Sequence, residues 1–132
     1  MSKLKIAVDF DGTLCLHRYP LIGPELREGI EFLKKMKKLG AEIYLDTMRS
    51  GKELWEAVKW CKDRGLDFDS IGPAEAQRQW TTSSKTHADY EIDDRSCFGD
   101  LLSYDEEDRP YINWSELIPE FESRLKREGW LV

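Results

Sequence analysis

Two aspartates near the start of the sequence, Asp9 and Asp11, have the type and spacing of residues that do chemistry. Residues 3–8 before them are rich in apolar and β-branched side chains and predict a short buried strand. Side chains two positions apart in an extended chain point to the same side, so both carboxylates could converge beyond the strand. Gly12 would then let the backbone turn away sharply. The two acids repel each other, and a divalent cation, a shared proton or a cationic side chain could neutralise them.

Two further groups of polar residues each follow a predicted strand, at 41–46 and at 88–92. In a parallel sheet the carboxyl ends of the strands meet at one edge, and ligands bind beyond that edge. We therefore expect these groups to share one site with the first two acids. The earlier group is Thr47, Met48 and Arg49, and the later group is Asp93 and Asp94.

Three segments have the three-to-four spacing of apolar residues that predicts amphipathic helices. The first is 25–39, with Pro24 suited to its first turn, and the second is 52–64. The third begins at Asn113 or Ser115, either of which could cap it. The side chains expected to face the core are Leu26, Ile30, Leu33 and either Met36 or Lys37 in the first helix, Leu54, Trp55, Val58 and Cys61 in the second, and Leu117, Phe121 and Leu125 in the third.

The remaining segments predict short strands and loops. Residues 68–71 and 111–113 are short strand candidates, while 15–24, rich in proline and glycine, predicts a loop or small flap over the site. Residues 103–110 are acidic and predict a solvated loop. Because strands and helices alternate, we expect an α/β protein of one domain, with a three-layer, Rossmann-like parallel sheet flanked by helices.

The composition limits the classes of function. Aspartate and glutamate number 26 against 20 lysines and arginines, a net charge of −6, so we expect no overall attraction to nucleic acid or to anionic membranes. No apolar run reaches a membrane-spanning length and no signal-peptide pattern follows Met1, which predicts a cytoplasmic protein. Three widely spaced cysteines, Cys15, Cys61 and Cys97, predict reduced thiols and argue against a zinc site.

Four short motifs occur in order along the chain: Asp9-Phe-Asp11-Gly-Thr-Leu14, Thr47, Lys85 and Ile92-Asp93-Asp94. Their residues and their order resemble the haloacid dehalogenase (HAD) superfamily of phosphohydrolases. They span about residues 4–95, and the resemblance implies a HAD-like fold. Neither 15–23 nor 72–84 is long enough for a lid domain, so we expect a small member without a cap domain. Asp46 departs from the pattern, since an apolar or small residue is more usual before the motif threonine.

The resemblance implies a Mg²⁺-dependent phosphatase that works through an aspartyl-phosphate. Asp9 would attack phosphorus, and Asp11 would protonate the departing alcohol and then deprotonate the hydrolytic water. Mg²⁺ would be bound by Asp9, by the backbone carbonyl of Asp11, and by the later acidic pair. Asp94 would be the direct ligand and Asp93 its supporting or alternate partner, an order that the sequence leaves open.

The resemblance also implies which residues contact the phosphoryl group. Thr47 would offer its hydroxyl and Met48 its backbone N–H, while Lys85 would offset the negative charge. Arg49 is a further candidate, because its planar guanidinium suits paired oxygens. The partner of such a site is a phosphorylated substrate, and residues 47–49 and 85 would bind it.

The sequence leaves the substrate and the function open. An uncovered site could accept bulky phosphorylated polymers or small molecules, or it could be closed by a second copy in a homo-oligomer. The patterns around Thr47 and Asp93 also resemble polynucleotide 3′-phosphatase domains, although the acidic charge argues against a nucleic-acid substrate. Asp46 favours a catalytically weak, metal-dependent phosphate-binding regulatory module, and a purely structural α/β interaction domain is a further hypothesis.

Several of these residues also have ordinary structural interpretations. Thr47 could cap the helix that follows it, and Lys85 could be a surface lysine. Residues 93–94 could begin a turn with Arg95 as their ion-pair partner, which contributes little when exposed. His17 has no neighbour at metal-ligand spacing and is expected to be a surface or structural residue.

Overall fold

A parallel β-sheet lies at the centre of the fold. The computed structural model describes residues 3–72, 87–93 and 102–132. Within these ranges the sheet has four strands, all parallel, in the order β5-β4-β1-β6. The strands are β1 (Lys5–Val8), β4 (Glu42–Leu45), β5 (Ser70–Ile71) and β6 (Tyr90–Ile92).

Strand β1 is the buried strand that the sequence predicts. It pairs with β4 on one side and with β6 on the other, so both of its edges are hydrogen-bonded. Ile6 and Val8 are completely buried, as are their register partners Ile43 and Leu45 in β4. The acids that follow β1 are therefore attached to one of the most constrained segments of the chain.

Three helices flank the sheet in the described part of the chain: α1 (Arg27–Lys38), α2 (Gly51–Asp63) and α3 (Trp114–Arg127). The prediction that the first helix begins near Pro24 is wrong, because Pro24 and Glu25 belong to a strand. Trp55 is also wrongly predicted to face the sheet, since it is 70% exposed. Asn113, and not Ser115, caps α3, with its side chain accepting from the Glu116 N–H.

The other predicted core positions are mostly confirmed. Leu26, Leu54 and Val58 are half-buried and pack against the core. Met36 fills the position for which Lys37 was the alternative. The fully buried members of the predicted set are Ile30, Leu33, Met36, Cys61, Leu117, Phe121 and Leu125.

Two antiparallel hairpins stand beside the sheet. Strands β2 (Cys15–Arg18) and β3 (Leu21–Glu25) form the first, which we call the flap hairpin, where the sequence predicts a loop or small flap. Strands β7 (Leu102–Tyr104) and β8 (Pro110–Ile112) form the second, called the C-terminal hairpin. The prediction of a loop at 103–110 is thus wrong at both ends, where residues 103–104 and 110 lie in strands, and is confirmed for 105–109 between them.

Helices α1 and α3 pack closely together. Gly29 of α1 lies against the indole of Trp114, the first residue of α3, so closely that a Cβ on Gly29 would fall 2.1 Å from Trp114 Cε2. The ring of Phe32 lies 6.1 Å from that of Trp114 and 5.8 Å from that of Phe121, centroid to centroid. A residue without a side chain at position 29 is what permits this approach.

The described chain is therefore an α/β protein with a parallel sheet flanked by three helices, an arrangement consistent with a Rossmann-like fold. Its described helices include none with both the length and the apolar character needed to span a membrane.

Candidate functional site

Three neighbouring strands of the sheet are each followed directly by an acidic residue. Val8 of β1 lies opposite Leu45 of β4 and Ile92 of β6. Because the strands are parallel, the residues that follow these three lie at the same edge. They are Asp9, Asp46 and Asp93. The structure thus brings two of the acids singled out in the sequence to one edge, with Asp46 beside them.

Asp9 stands in the middle of this row. Its backbone N–H donates to Ile92 O at 3.0 Å, which continues the ladder between β1 and β6. Its carboxylate Oδ1 accepts from the Phe10 N–H at 2.7 Å. Phe10 is completely buried and packs edge-on against Trp60 of α2, with 5.4 Å between ring centroids. The carboxylate of Asp9 is therefore oriented by a well-anchored backbone.

The backbone reverses direction immediately after Asp11. Gly12 has a φ of 80°, a left-handed conformation that favours glycine, as the sequence predicts. Its N–H donates to Cys15 O at 2.8 Å, and the Leu14 N–H donates to Phe10 O at 2.9 Å. This stretch, residues 10–15, is called the acid turn below. It holds Asp11 at the edge of the sheet and leads into the flap hairpin.

The acid turn is also held from the far end of the chain. The Ile112 N–H of β8 donates to Gly12 O at 2.8 Å, and Trp114 Nε1 donates to Thr13 O at 2.7 Å. Both carbonyls are thereby satisfied by residues about a hundred positions later in the sequence. Sequence reasoning missed this role of Trp114, since nothing in the local pattern distinguishes an indole that donates to a distant carbonyl from one that only packs.

Asp11 forms a buried, two-point ion pair with Arg49. Arg49 Nε donates to Asp11 Oδ2 and Arg49 Nη2 donates to Asp11 Oδ1, both at 2.8 Å. The guanidinium and the carboxylate are both buried, which strengthens a charge-assisted hydrogen bond. The hydrogen bond to Asp11 is the main reason that the pKa of Arg49 is raised above its usual value. Of the three ways to neutralise the acids, a cationic side chain is thus used for Asp11.

Thr47 and Met48 lie between β4 and α2. Ser50 occupies the N-cap position of the helix, so the alternative interpretation of Thr47 as its N-cap is wrong. Thr47 is half-buried, and its Oγ1 accepts from the Arg49 N–H at 3.2 Å. Met48 is 99% exposed at the rim. The threonine therefore shapes the turn that directs Arg49 inward.

An open cleft of about 520 Å³ lies at this edge of the sheet. It gathers six of the residues predicted for the site, together with Asp46, which directly precedes Thr47, and two residues that the sequence does not assign to the site. His17 and Tyr19 enter the cleft because the flap hairpin folds over the strand ends. The cleft is lined by Asp9, Asp11, His17, Tyr19, Asp46, Thr47, Met48, Arg49 and Asp93.

Asp46 adds negative charge to the cleft. Partial removal from water raises the pKa of its carboxyl group, and the charge of Asp93 raises it further. An acid at this position therefore opposes the binding of anions unless a cation or a proton compensates. This is the electrostatic consequence of the unusual residue that precedes Thr47.

Two of the predicted site residues, Lys85 and Asp94, lie outside the described residues. The described residues contain no group of three or more His, Cys, Asp and Glu side chains arranged to hold a metal ion. Mg²⁺, however, takes oxygen ligands and usually needs only one or two carboxylates, because it keeps several of its waters. The carboxylates of Asp9 and Asp93 at adjacent strand ends have the chemistry that this ion requires.

The flap hairpin is fastened to the C-terminal hairpin by charged side chains. Arg18 Nη1 donates to Asp105 Oδ2 at 2.8 Å, and Arg18 Nη2 donates to Glu106 Oε1 at 2.7 Å. Arg109 Nη1 donates to His17 O at 2.8 Å. The hydrogen bond from Arg18 is the main reason that the pKa of Asp105 is lowered to about 2. The acidic run therefore anchors the flap hairpin beside the cleft.

Comparisons with known proteins give one informative relationship. No family model matches the chain, and no curated protein matches it. A solved structure of a conserved protein from Bacteroides thetaiotaomicron is similar to it, with 32% sequence identity and a TM-score of 0.75. The match covers 93% of this chain and 93% of that one. At this identity and coverage, the chain belongs to the same family as the conserved Bacteroides thetaiotaomicron protein.

Proposed function

We propose that the chain is a HAD-like, capless, Mg²⁺-dependent phosphatase that hydrolyses phosphate esters through an aspartyl-phosphate. The observation that carries this proposal is the position of Asp9. It follows the central strand, its carboxylate is oriented by the Phe10 N–H, and it lines a cleft together with Asp11, Thr47 and Asp93. A carboxylate fixed in this way suits nucleophilic attack, which depends on orientation.

In the first step an oxygen of Asp9 forms a bond to phosphorus as the bond to the leaving alcohol breaks, and Asp11 gives that alcohol a proton. In the second step a water attacks the aspartyl-phosphate, Asp11 takes the water's proton, and inorganic phosphate leaves with Asp9 restored. When bound by Asp9 and the acids at 93–94, Mg²⁺ would neutralise charge on the phosphoryl oxygens. Thr47 and Lys85 would contact the same oxygens.

The proposal is tested by a screen for phosphate release with Mg²⁺ present. The panel contains an aryl phosphate, nucleotides, sugar phosphates, pyrophosphate and 3′-phosphorylated oligonucleotides. We expect Asp9→Asn to lower turnover of every accepted substrate by roughly 10³-fold or more, as loss of a nucleophile does in other enzymes. EDTA should abolish turnover, and phosphate should be found on the peptide that contains Asp9 after an acid quench.

The matched control is Asp63→Asn, the same substitution at an exposed carboxylate that ends α2. It should retain full activity. Equal turnover by the unmodified protein and by Asp9→Asn would refute the proposal. Preference for the phosphorylated oligonucleotides would instead identify a polynucleotide 3′-phosphatase, despite the net negative charge.

A phosphate-binding regulatory module of low activity is the second candidate. It is favoured by the ion pair between Asp11 and Arg49, because both carboxylate oxygens of Asp11 already accept hydrogen bonds. This candidate predicts that calorimetry detects binding of inorganic phosphate in the presence of Mg²⁺ while the screen detects no turnover. Turnover that disappears in Asp9→Asn excludes it.

A further inference from the structure

Arg49 contacts the flap hairpin as well as Asp11. Its Nη2 donates to Leu21 O at 2.9 Å, and its Nη1 lies 3.3 Å from Pro20 O and 3.5 Å from Glu53 O. Together with the two bonds to Asp11, these contacts equal the five N–H groups that a guanidinium carries. Among the described residues alone, Arg49 thus has as many acceptors as it has hydrogens to donate.

Aromatic rings hold the same guanidinium. Arg49 Cζ lies 5.0 Å from the centroid of Phe10 and 5.1 Å from the centroid of Tyr19. Phe10 belongs to the acid turn, and Tyr19 belongs to the turn of the flap hairpin. Cation–π contacts at this distance add to the hydrogen bonds when the cation is desolvated, as it is here with 4% of Arg49 exposed.

We infer that Arg49 is a positioning residue that ties the carboxylate of Asp11 to the tip of the flap hairpin. The tip contributes the carbonyls of Pro20 and Leu21, and the acid turn contributes both carboxylate oxygens of Asp11. One buried side chain therefore fixes both the orientation of Asp11 and the position of the flap hairpin. This inference rests on the proposed function, in which Asp11 exchanges protons through the second lone pair that each carboxylate oxygen keeps beside its bond to Arg49.

This positioning role of Arg49 differs from the phosphate contact that the sequence suggests for it. A phosphate contact needs N–H donors directed at the phosphoryl oxygens, whereas here the guanidinium donates to Asp11 and the flap hairpin. Substrate would then meet Thr47 and Lys85, while Arg49 acts through Asp11. Lysine cannot replace it, since an ammonium group lacks the planar fork that reaches two carboxylate oxygens at once.

The first test follows amide hydrogen exchange in the peptide that covers residues 15–25. We expect Arg49→Lys to speed exchange there by about tenfold or more, because an ammonium group cannot bond both Asp11 oxygens and the hairpin carbonyls at once, so local opening breaks fewer buried charge-assisted hydrogen bonds. Asp11→Asn removes the charge of the other partner in the ion pair with Arg49, so it should also speed exchange in this peptide. Asp9→Asn and the exposed helix-end substitution Arg127→Lys should leave it unchanged.

The second test uses leaving groups of different quality. Phenolate leaves less readily than nitrophenolate, so loss of an oriented general acid should slow phenyl phosphate much more than p-nitrophenyl phosphate. We expect Arg49→Lys and Asp11→Asn to share this selectivity, with the double variant little slower than the slower single variant. The inhibition constant of inorganic phosphate should change by less than roughly twofold in Arg49→Lys, as for a group that does not bind the phosphoryl oxygens.

The results separate the inference from the proposed function. Unchanged exchange in residues 15–25 of Arg49→Lys would overturn the inference, as would a large rise in the phosphate inhibition constant with equal slowing of both aryl phosphates. If Arg49→Lys does not fold, the comparison of Asp11→Asn with Asp9→Asn in the exchange experiment decides the inference. If the unmodified protein hydrolyses no phosphate ester, the proposed function fails. The exchange result still tests whether Arg49 links Asp11 to the flap hairpin.

Discussion

Replacing Gly29 with alanine should destabilise the protein, although alanine is the better helix former. Gly29 lies inside α1, and a Cβ at this position would fall 2.1 Å from Trp114 Cε2 and 2.3 Å from Trp114 Nε1. Since such contacts are far shorter than any that real side chains make, the indole must move. Its movement would break the hydrogen bond from Nε1 to Thr13 O in the acid turn.

The size of the effect follows from three contributions. Overpacking a tight core contact costs about 1–3 kcal/mol, and losing a buried hydrogen bond costs about 1 kcal/mol more. The higher helix propensity of alanine offsets about 1 kcal/mol of this destabilisation. The free energy of unfolding of Gly29→Ala should therefore fall by about 2 kcal/mol, which corresponds to a Tm lower by roughly 6–10 °C for a chain of this size.

Thermal and urea unfolding of Gly29→Ala, Trp114→Phe and the double variant would measure this. We expect the alanine to cost less in the Trp114→Phe background, because the clash and the lost hydrogen bond both involve the indole. Glu31→Ala, an exposed substitution in the same helix, should change stability by no more than about 0.5 kcal/mol. An unchanged or higher Tm for Gly29→Ala would show that helix propensity dominates and that the close approach to Trp114 is wrong.

Two further predictions concern ionisable groups outside the cleft. Since its arginine partner lowers the pKa of Asp105 to about 2, the carboxylate should stabilise the fold above about pH 4 and lose this contribution as the pH falls toward 2. The difference in urea midpoint between the unmodified protein and Asp105→Asn should shrink over that range. A difference that does not depend on pH would contradict the ion pair. Asp108→Asn, in the same loop, is the control. The second prediction concerns the thiols of Cys15 and Cys61, whose pKa burial raises to about 12. In a Cys97→Ser background, neither thiol should react with a thiol reagent at pH 8 until the protein unfolds. Rapid labelling of the native protein would contradict this prediction, because it would show that these thiols are accessible.

The sequence predicts the edge of the sheet better than it predicts the contacts made there. Asp9 and Asp93 lie together because each directly follows a short apolar strand, and parallel strands carry such residues to one edge. Arg49 was correctly placed near them for the same reason. Its partner was not predictable, since the choice between a bound phosphate and Asp11 depends on where the flap hairpin lies, and that is a tertiary property.

The errors at the flap hairpin have an identifiable cause. Pro24 followed by acidic residues is typical of a helix start, and this local preference suggested a helix from residue 25. The chain instead pairs Cys15 with Glu25 across the hairpin, so α1 begins after Leu26. Pairing between strands depends on contacts that local preferences do not contain, which is also why the sequence predicts His17 to be a surface or structural residue and not part of the cleft.

The helices show the same limit, since local sequence patterns do not contain tertiary contacts. The periodic pattern correctly indicated Leu117, Phe121 and Leu125 as core residues of α3. It failed for Trp55, which the apolar spacing of the second helix assigns to the sheet but which faces solvent. A pattern reports which residues share a face, but the neighbour that covers that face is chosen by the whole fold.

The bond between Trp114 and Thr13 joins residues 101 positions apart, and this separation has a consequence for biosynthesis. As the polypeptide emerges from a ribosome, both carboxylates of the first motif are released long before the segment that braces their turn. A nascent chain that ends before Ile112 would present the motif with two backbone oxygens unsatisfied by protein. The acid turn should therefore gain its full set of hydrogen bonds only after residues 112–114 have emerged, so that shorter nascent chains carry both carboxylates without the support of their turn.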